Sequence, residues 1–253
     1  MQNPSVTDLA ERLQHAARTG VPADPADIPG LAEAYAVAQA QRHLSEATGD
    51  RVIGYKIGLT SGPARKAFAA TEPTAGHLVA SRLLEPGKPV TATGLFRPKA
   101  EVEIAFVLAS PIGGPNVTAA DVRDATAAVA PAFEIVDTRW RGGPTSLPML
   151  VADNTNAAAA VVGAQVPLPA DLPAQTSILR IGTQTVPGAA TAVMGDPAEA
   201  VAWLARHLAR SGNRLEAGDI VLSGTLSTPA PIHAGDRLEA EISGVGGISV
   251  EVV

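Results

Sequence analysis

The spacing of hydrophobic and polar positions changes period along the chain, and each change marks an element. Ser5-x-x-Asp8 has the spacing of a helix capping box, after which Leu9, Leu13, Ala16 and Ala17 recur on one helical face until Gly20. A proline-rich link over residues 21–30 leads to a second helical pattern, Leu31, Ala34, Tyr35 and Ala38, which runs to about Thr48 and stops at Gly49. Residues 51–61 predict a short strand with Lys56 among apolar neighbours and glycines close on both sides. Residues 61–89 are broken by Gly62, Pro63, Pro73, Gly76, Pro86 and Gly87 and read as irregular, either a lid over a site or a crossing between domains.

From residue 98 the pattern sharpens. Residues 98–108 predict a strand, Thr118 and Asp121 form a capping box that opens a helix over residues 121–129, and residues 131–137 predict a second short strand. Residues 139–144 form a turn region, and an apolar run over residues 157–162 follows Asp153, Asn154 and Asn156. Asp196-Pro197-Ala198-Glu199 opens the best-defined helix, with an N-cap, a proline at the first helical position and Val201, Leu204, Ala205 and Leu208 on one face, ending at Ser211-Gly212. A buried strand over residues 220–222 delivers the small-residue turn Ser223-Gly224-Thr225-Leu226. Two alternating strands, residues 237–243 and 247–253, close the chain with Leu238, Ala240, Ile242, Ile248, Val250 and Val252 facing inward.

Composition narrows the function classes. With 253 residues the chain suffices for one large domain, or for a main domain with a smaller appendage. A formal charge of -6 and the lack of a basic run argue against a general nucleic-acid binder. Without cysteine there is no disulfide, thiolate nucleophile or zinc ribbon. No apolar run is long enough to span a bilayer, and Met1 to Ser5 do not begin a signal peptide. The five histidines make no metal-spaced pair, and only His77, in the expected lid, stands near other candidate chemistry. No Gly-x-Ser-x-Gly elbow is present, and Gly244 to Gly247 precede no helix, so they are not a phosphate loop.

The chemistry concentrates on the strand over residues 98–108. Its period of two sends Glu101 and Glu103 to one face and Val102, Ile104, Phe106 and Leu108 to the other. The acidic face continues as Ala105, Val107 and Ala109, so both faces are expected to be covered and the two carboxylates buried together. Such a pair needs a cation, a shared proton or basic partners. Glu134 sits in the following strand, ahead of Asp137, and the strand, helix, strand order brings it back beside the first two. Three hard oxygen ligands suit Mg2+ or Mn2+ better than zinc. Lys56 is a candidate to neutralise an anionic substrate or to move a proton, Asp153 and Asn154 to orient a ligand or water, and the Ser223 and Thr225 turn to bind a carboxylate or enolate.

Taken together, Gly54-Tyr55-Lys56-Ile57-Gly58-Leu59-Thr60-Ser61, the Glu101-Val102-Glu103 strand, Phe133-Glu134-Ile135-Val136-Asp137, Val151-Ala152-Asp153-Asn154 and Gly218 to Thr225 resemble the 2-keto-4-pentenoate hydratase and 4-oxalocrotonate decarboxylase family of the fumarylacetoacetate hydrolase superfamily. The resemblance keeps the order of the motifs and covers about residues 9–253. It implies an α+β fold: a mixed β-roll catalytic domain, residues 86–253, after a smaller helical N-terminal subdomain, residues 1–85, that carries the Lys56 strand and the possible lid. It implies Mg2+ or Mn2+ on Glu101, Glu103 and Glu134, Lys56 in the active site, and Ser223 and Thr225 at the substrate. It also implies a cytoplasmic homo-oligomer of aromatic meta-cleavage catabolism, able to associate with a companion pathway enzyme. The expected reaction is hydration of 2-hydroxypenta-2,4-dienoate or a close analogue to a 4-hydroxy-2-oxo acid. The alternatives are decarboxylation of a 2-oxo-hexenedioate and a non-catalytic partner subunit. Family members tend to carry an acidic residue in the segment that here reads Gly76 to Arg82. His77 is the expected substitute for that acid, and Arg82 the expected ligand of a second substrate carboxylate.

Overall fold

A computed structural model describes residues 4–85 and 87–253; residues 1–3 and Pro86 of the sequence patterns above lie outside them. The first half runs α1 (Val6–Thr19), α2 (Leu31–Ala47), β1 (Val52–Gly58), α3 (Gly62–Ala67), β2 (Thr74–Val79), β3 (Leu83–Leu84), β4 (Lys99–Leu108), α4 (Ala119–Ala125) and β5 (Thr126–Val136). The second runs α5 (Leu147–Ala152), β6 (Ala157–Val162), β7 (Thr176–Ile181), β8 (Gln184–Ala189), α6 (Pro197–Ala209), β9 (Ile220–Leu222), β10 (Ala230–Pro231), β11 (Arg237–Ile242) and β12 (Gly246–Glu251).

Among the described residues the larger sheet has the order β2-β1-β9-β4-β5-β6-β3, with β10 also on β4, and a second sheet has the order β12-β11-β7-β8. The Lys56 strand β1 lies inside the larger sheet, paired with β2 and β9. It is therefore part of the same sheet as β4, and the sheet takes strands from both sides of residue 85.

One face of β4 carries Val102, Ile104 and Phe106 into the main core, which they share with Phe133 and Ile135 of β5 and with Val201 and Leu204 of α6. The other face is covered by small residues, Ala105, Ala130, Ala132 and Ala160, with Leu78 and Leu222. Both faces are thus closed, as a strand with apolar residues on either side requires. α1 packs on α2 and α2 on α5, around Leu9, Leu13, Ala34, Val37 and Trp140. The Ser5–Asp8 capping box and the left-handed Gly20 bound α1 as its sequence predicts, although Ala10 rather than Ala17 completes its buried face. Among the described residues no helix is long and apolar enough to cross a membrane.

Two expectations are corrected. The helix opened by Thr118 ends at Ala125 instead of Val129, because residues 126–130 extend β5 along β4, with Val129 opposite Phe106 and fully buried. That pairing outweighs the helix preference of an alanine-rich stretch. Residues 61–85 hold regular elements where the sequence reads as irregular: Ser61 caps α3, Pro63 sits in its first turn, and β2 is hydrogen-bonded to β1 along its length.

Candidate active site

In the antiparallel pairing of β4 with β5, Glu101 stands opposite Glu134. Glu103, two residues further along, shares their face. One oxygen from each of the three carboxylates lies within 4.8 Å of the others. Glu103 and Glu134 are fully buried, and Glu101 is partly open to a cleft of about 840 Å³.

Lys56 is 2 % exposed, and its Nζ lies 3.1 Å from Glu134 Oε1. It also donates a hydrogen bond to the Thr155 carbonyl at 3.1 Å. The sheet allows this reach because β9 is short. β9 ends at Leu222, between Lys56 on one side and Ala105 on the other. The chain then turns away through Gly224, whose N–H donates to Glu103 Oε2 at 2.8 Å. Gly224 has φ +108°, and a Cβ there would lie 2.5 Å from Thr60 Cγ2, so only glycine fits this turn.

The Thr155 carbonyl is aimed by an unusual backbone. Asn154, Thr155 and Asn156 have φ of 49°, 52° and 60°, three successive non-glycine residues in the left-handed region. Asparagine tolerates this region, whereas at the β-branched Thr155 it costs roughly 1–2 kcal/mol. The run is clamped to β2: Asn154 Oδ1 accepts from the His77 N–H at 2.8 Å, its Nδ2 donates to the His77 carbonyl at 2.9 Å, and Thr155 Oγ1 donates to the Ala75 carbonyl at 3.1 Å.

Burial and mutual repulsion govern the charges. Burial, with Glu134 beside it and against Lys56, pushes Glu101 up to about 7. Burial followed by Glu134 and Glu101 raises Glu103 well above the usual carboxylate range, and burial raises Glu134 against the pull of Lys56. For Lys56, burial pulls down but the fields of Glu134, Glu101 and Glu103 outweigh it, so the ammonium is held above its ordinary value. Glu103 Oε1 and Glu134 Oε2 are buried without a hydrogen-bond partner. Three converging carboxylates against one ammonium, with two oxygens unpartnered, fit a divalent cation with hard-ligand preference.

The other predicted residues divide. Thr225 lines the cleft, with Oγ1 donating to the Ser227 carbonyl at 2.9 Å. Ser223 is fully buried beside it, with its Oγ lacking a hydrogen-bond partner. Asp153 is buried against Arg139, Oδ1 to Nε 2.6 Å, with the Arg139 N–H donating to Oδ2 at 2.7 Å. Burial raises its carboxyl to about 6 against the pull of Arg139. It braces the chain ahead of the left-handed run and lies off the cleft.

His77 and Arg82 are corrected most clearly. His77 pairs with Tyr55, so its side chain leaves the sheet on the face opposite Lys56. Both residues line a separate cavity of about 400 Å³ with Arg139, and Arg82 donates to the Ala17 carbonyl at 3.3 Å. Conversely, the Thr155 carbonyl and the cleft residues Arg97 and Lys99 are not marked by any motif in the sequence. Lys99 was detectable, since it precedes Glu101 by two on the same strand face.

Comparison with known proteins agrees with this geometry. The sequence profile of the fumarylacetoacetate (FAA) hydrolase C-terminal family matches residues 39–253. The chain is 41% identical over 224 residues to a 2-hydroxyhexa-2,4-dienoate hydratase of Comamonas testosteroni, covering 87% of this chain and 85% of that protein. It is 35% identical over 251 residues to a 2-keto-4-pentenoate hydratase of Burkholderia vietnamiensis, covering 96% of each. The 4-oxalocrotonate decarboxylase structure from Pseudomonas putida G7, complexed with magnesium and adipate, superposes with a TM-score of 0.93 at 28% identity, over 98% of this chain and 97% of that one. With its glutamate triad on paired strands and a profile match over most of its length, the chain belongs to the FAA hydrolase C-terminal family.

Proposed function

We propose that this chain is a divalent-metal-dependent hydratase, a carbon-oxygen lyase, that adds water to 2-hydroxypenta-2,4-dienoate or a close analogue in meta-cleavage aromatic catabolism. The observation that carries the reading is the buried Glu101, Glu103 and Glu134 cluster beside Lys56 at a cleft. In this reading the three glutamates hold Mg2+ or Mn2+, which when bound supplies Lewis-acid stabilisation of negative charge on the substrate's 2-oxygen. Lys56, held as an ammonium, faces the anionic end of the substrate and neutralises it. Thr225 and the turn before it position the carboxylate.

The 2-hydroxyl proton is released and C5 takes one up, giving the conjugated 2-oxo-3-enoate. Water then bonds through oxygen to C4 while C3 is protonated, and the product is 4-hydroxy-2-oxopentanoate. His77 and Arg82, on the other face of the sheet, have no part in it.

The family resemblance supports a smaller helical region of α1 and α2 set against the roll, a cytoplasmic homo-oligomer, and association with a companion pathway enzyme. A second reading, decarboxylation of a 2-oxo-hexenedioate, is favoured by one observation: Arg97 and Lys99 line the same cleft. The test is the ultraviolet absorbance of 2-hydroxypenta-2,4-dienoate with the protein and Mg2+, followed by excess chelator. Metal-dependent loss of the diene signal, absent in Glu103→Gln, is expected. A signal that persists in the metal-loaded wild type would end the hydratase reading, and CO2 release from the six-carbon dicarboxylate would put decarboxylation in its place.

A further inference from the structure

The chain leaves the Lys56 strand through a strained step. Leu59 has φ +56°, a left-handed backbone that a bulky residue adopts only when its surroundings enforce it. Arg65, from α3, supplies the enforcement: its Nη1 donates to the Leu59 carbonyl at 3.0 Å and to the Thr60 carbonyl at 2.8 Å. Ser61 Oγ accepts from the Ala64 N–H at 3.3 Å, which fixes the start of the helix that carries Arg65. One guanidinium thus gathers two consecutive carbonyls and sets the direction in which the Thr60 side chain leaves the backbone.

Thr60 is 4 % exposed and stands against the Cα of Gly224. A Cβ on Gly224 would lie 2.5 Å from Thr60 Cγ2 and 2.6 Å from Thr60 Oγ1, so the two residues are in close contact. The turn that contains Gly224 is tied to β4 at both ends, by the Ser223 N–H to the Ile104 carbonyl at 3.2 Å and by the Leu226 N–H to the Val102 carbonyl at 2.8 Å. Thr60 backs its middle, where the Gly224 N–H donates to Glu103 Oε2 at 2.8 Å. Arg65 does not line the cleft, yet an unbroken series of contacts runs from its guanidinium to a carboxylate of the glutamate cluster.

We infer that Arg65 is a positioning residue for Glu103, acting through Thr60 and the Gly224 N–H to hold one oxygen of that carboxylate and leave the other, Oε1, for a cation. The assignment rests on reading the three glutamates as a divalent-metal site and deepens it. Hydrogen-bond partners of a metal ligand fix its orientation, and their loss weakens metal binding. Without Arg65, Leu59 relaxes to an ordinary backbone, Thr60 withdraws from Gly224, and the bond to Glu103 loosens. The sign separates this from a field effect, because removing a positive charge would by electrostatics alone tighten the binding of a cation.

The experiment titrates Mn2+ into the metal-free protein and reads the free ion by electron paramagnetic resonance. Arg65→Met is expected to raise the Kd for Mn2+ about tenfold. Adding Leu59→Gly to that variant should return the Kd to within about threefold of wild type, since glycine takes φ +56° without a clamp. Thr60→Ala should weaken binding about tenfold as well, whereas Thr60→Val, which keeps the branched shape against Gly224, retains it; this pair serves if Arg65→Met does not fold. An arginine that only stabilises the fold would lower Tm with the Kd unchanged, and that result would overturn the proposal. Tighter binding in Arg65→Met, or no recovery on adding Leu59→Gly, would overturn it too. A wild type that binds no Mn2+ would instead end the metal reading of the glutamates, an outcome distinct from an unchanged Kd.

Discussion

Replacing Lys56 by methionine keeps most of the side-chain volume and removes the buried ammonium that pairs with Glu134. Its Nζ is 3.1 Å from Glu134 Oε1, and at an effective dielectric constant of 20 that separation corresponds to about 5 kcal/mol of attraction. The Thr155 carbonyl also loses its donor, which costs about 1–3 kcal/mol at a buried site. The desolvation of the lysine is relieved in return, so the net loss expected for breaking a buried pair is about 3–5 kcal/mol. For a chain of this size that is roughly 6–20 °C in Tm. The assay is thermal unfolding of wild type and Lys56→Met in chelator at pH 8, then with Mg2+ added. In chelator the variant should melt lower by that interval. With Mg2+ the gap should narrow, because a cation on the same carboxylates replaces the missing positive charge, while turnover stays at least about 100-fold down. Equal melting temperatures in chelator would refute the reasoning, since they would mean that Lys56 does not balance the cluster.

Two further expectations address the scaffold. Gly54 has φ +150° and a Cβ there would lie 1.8 Å from the Ile220 carbonyl oxygen, so Gly54→Ala must push β1 from β9; a loss of about 4 kcal/mol or more is expected, and a Tm within about 2 °C of wild type would contradict it. Burial, aided by Arg42 and Arg139, pulls His77 down to about 4 from an unfolded value near 6.5. The unfolded chain therefore binds a proton that the folded chain refuses, and this contribution to stability, complete above pH 6.5, is lost as pH falls toward 4. Denaturation curves of wild type and His77→Gln across that window should diverge with wild type losing more; parallel curves would remove His77 from the acid response.

The glutamates could be read from the sequence because their message is local. Glu101 and Glu103 sit two apart on a strand whose acidic face continues as Ala105 and Val107, and Glu134 is embedded in an equally apolar strand. Both facts imply buried charge before any pairing is known. His77 was misplaced for the opposite reason. Which face it takes depends on the register of β2 against β1, with Tyr55 opposite it, and nothing within residues 74–82 encodes that register. The glycines and prolines of residues 61–85, taken as loop punctuation, proved compatible with a capped helix and a paired strand. Thr155 went unread because its function belongs to a backbone carbonyl, aimed by three left-handed residues whose bracing comes from β2, some eighty positions earlier.

The Glu101–Glu134 pairing has a consequence for folding fidelity. In an antiparallel ladder a slip of one residue sends a side chain to the opposite face. A β4–β5 pairing slipped by one position would turn Glu134 toward the apolar layer of Val102, Ile104 and Phe106 and leave Glu101 and Glu103 without their third carboxylate. The charged cluster thus acts as a gauge of alignment: a buried acid has a low-energy place in only one register, so the residues that make the site chemically useful also proofread the sheet that builds it.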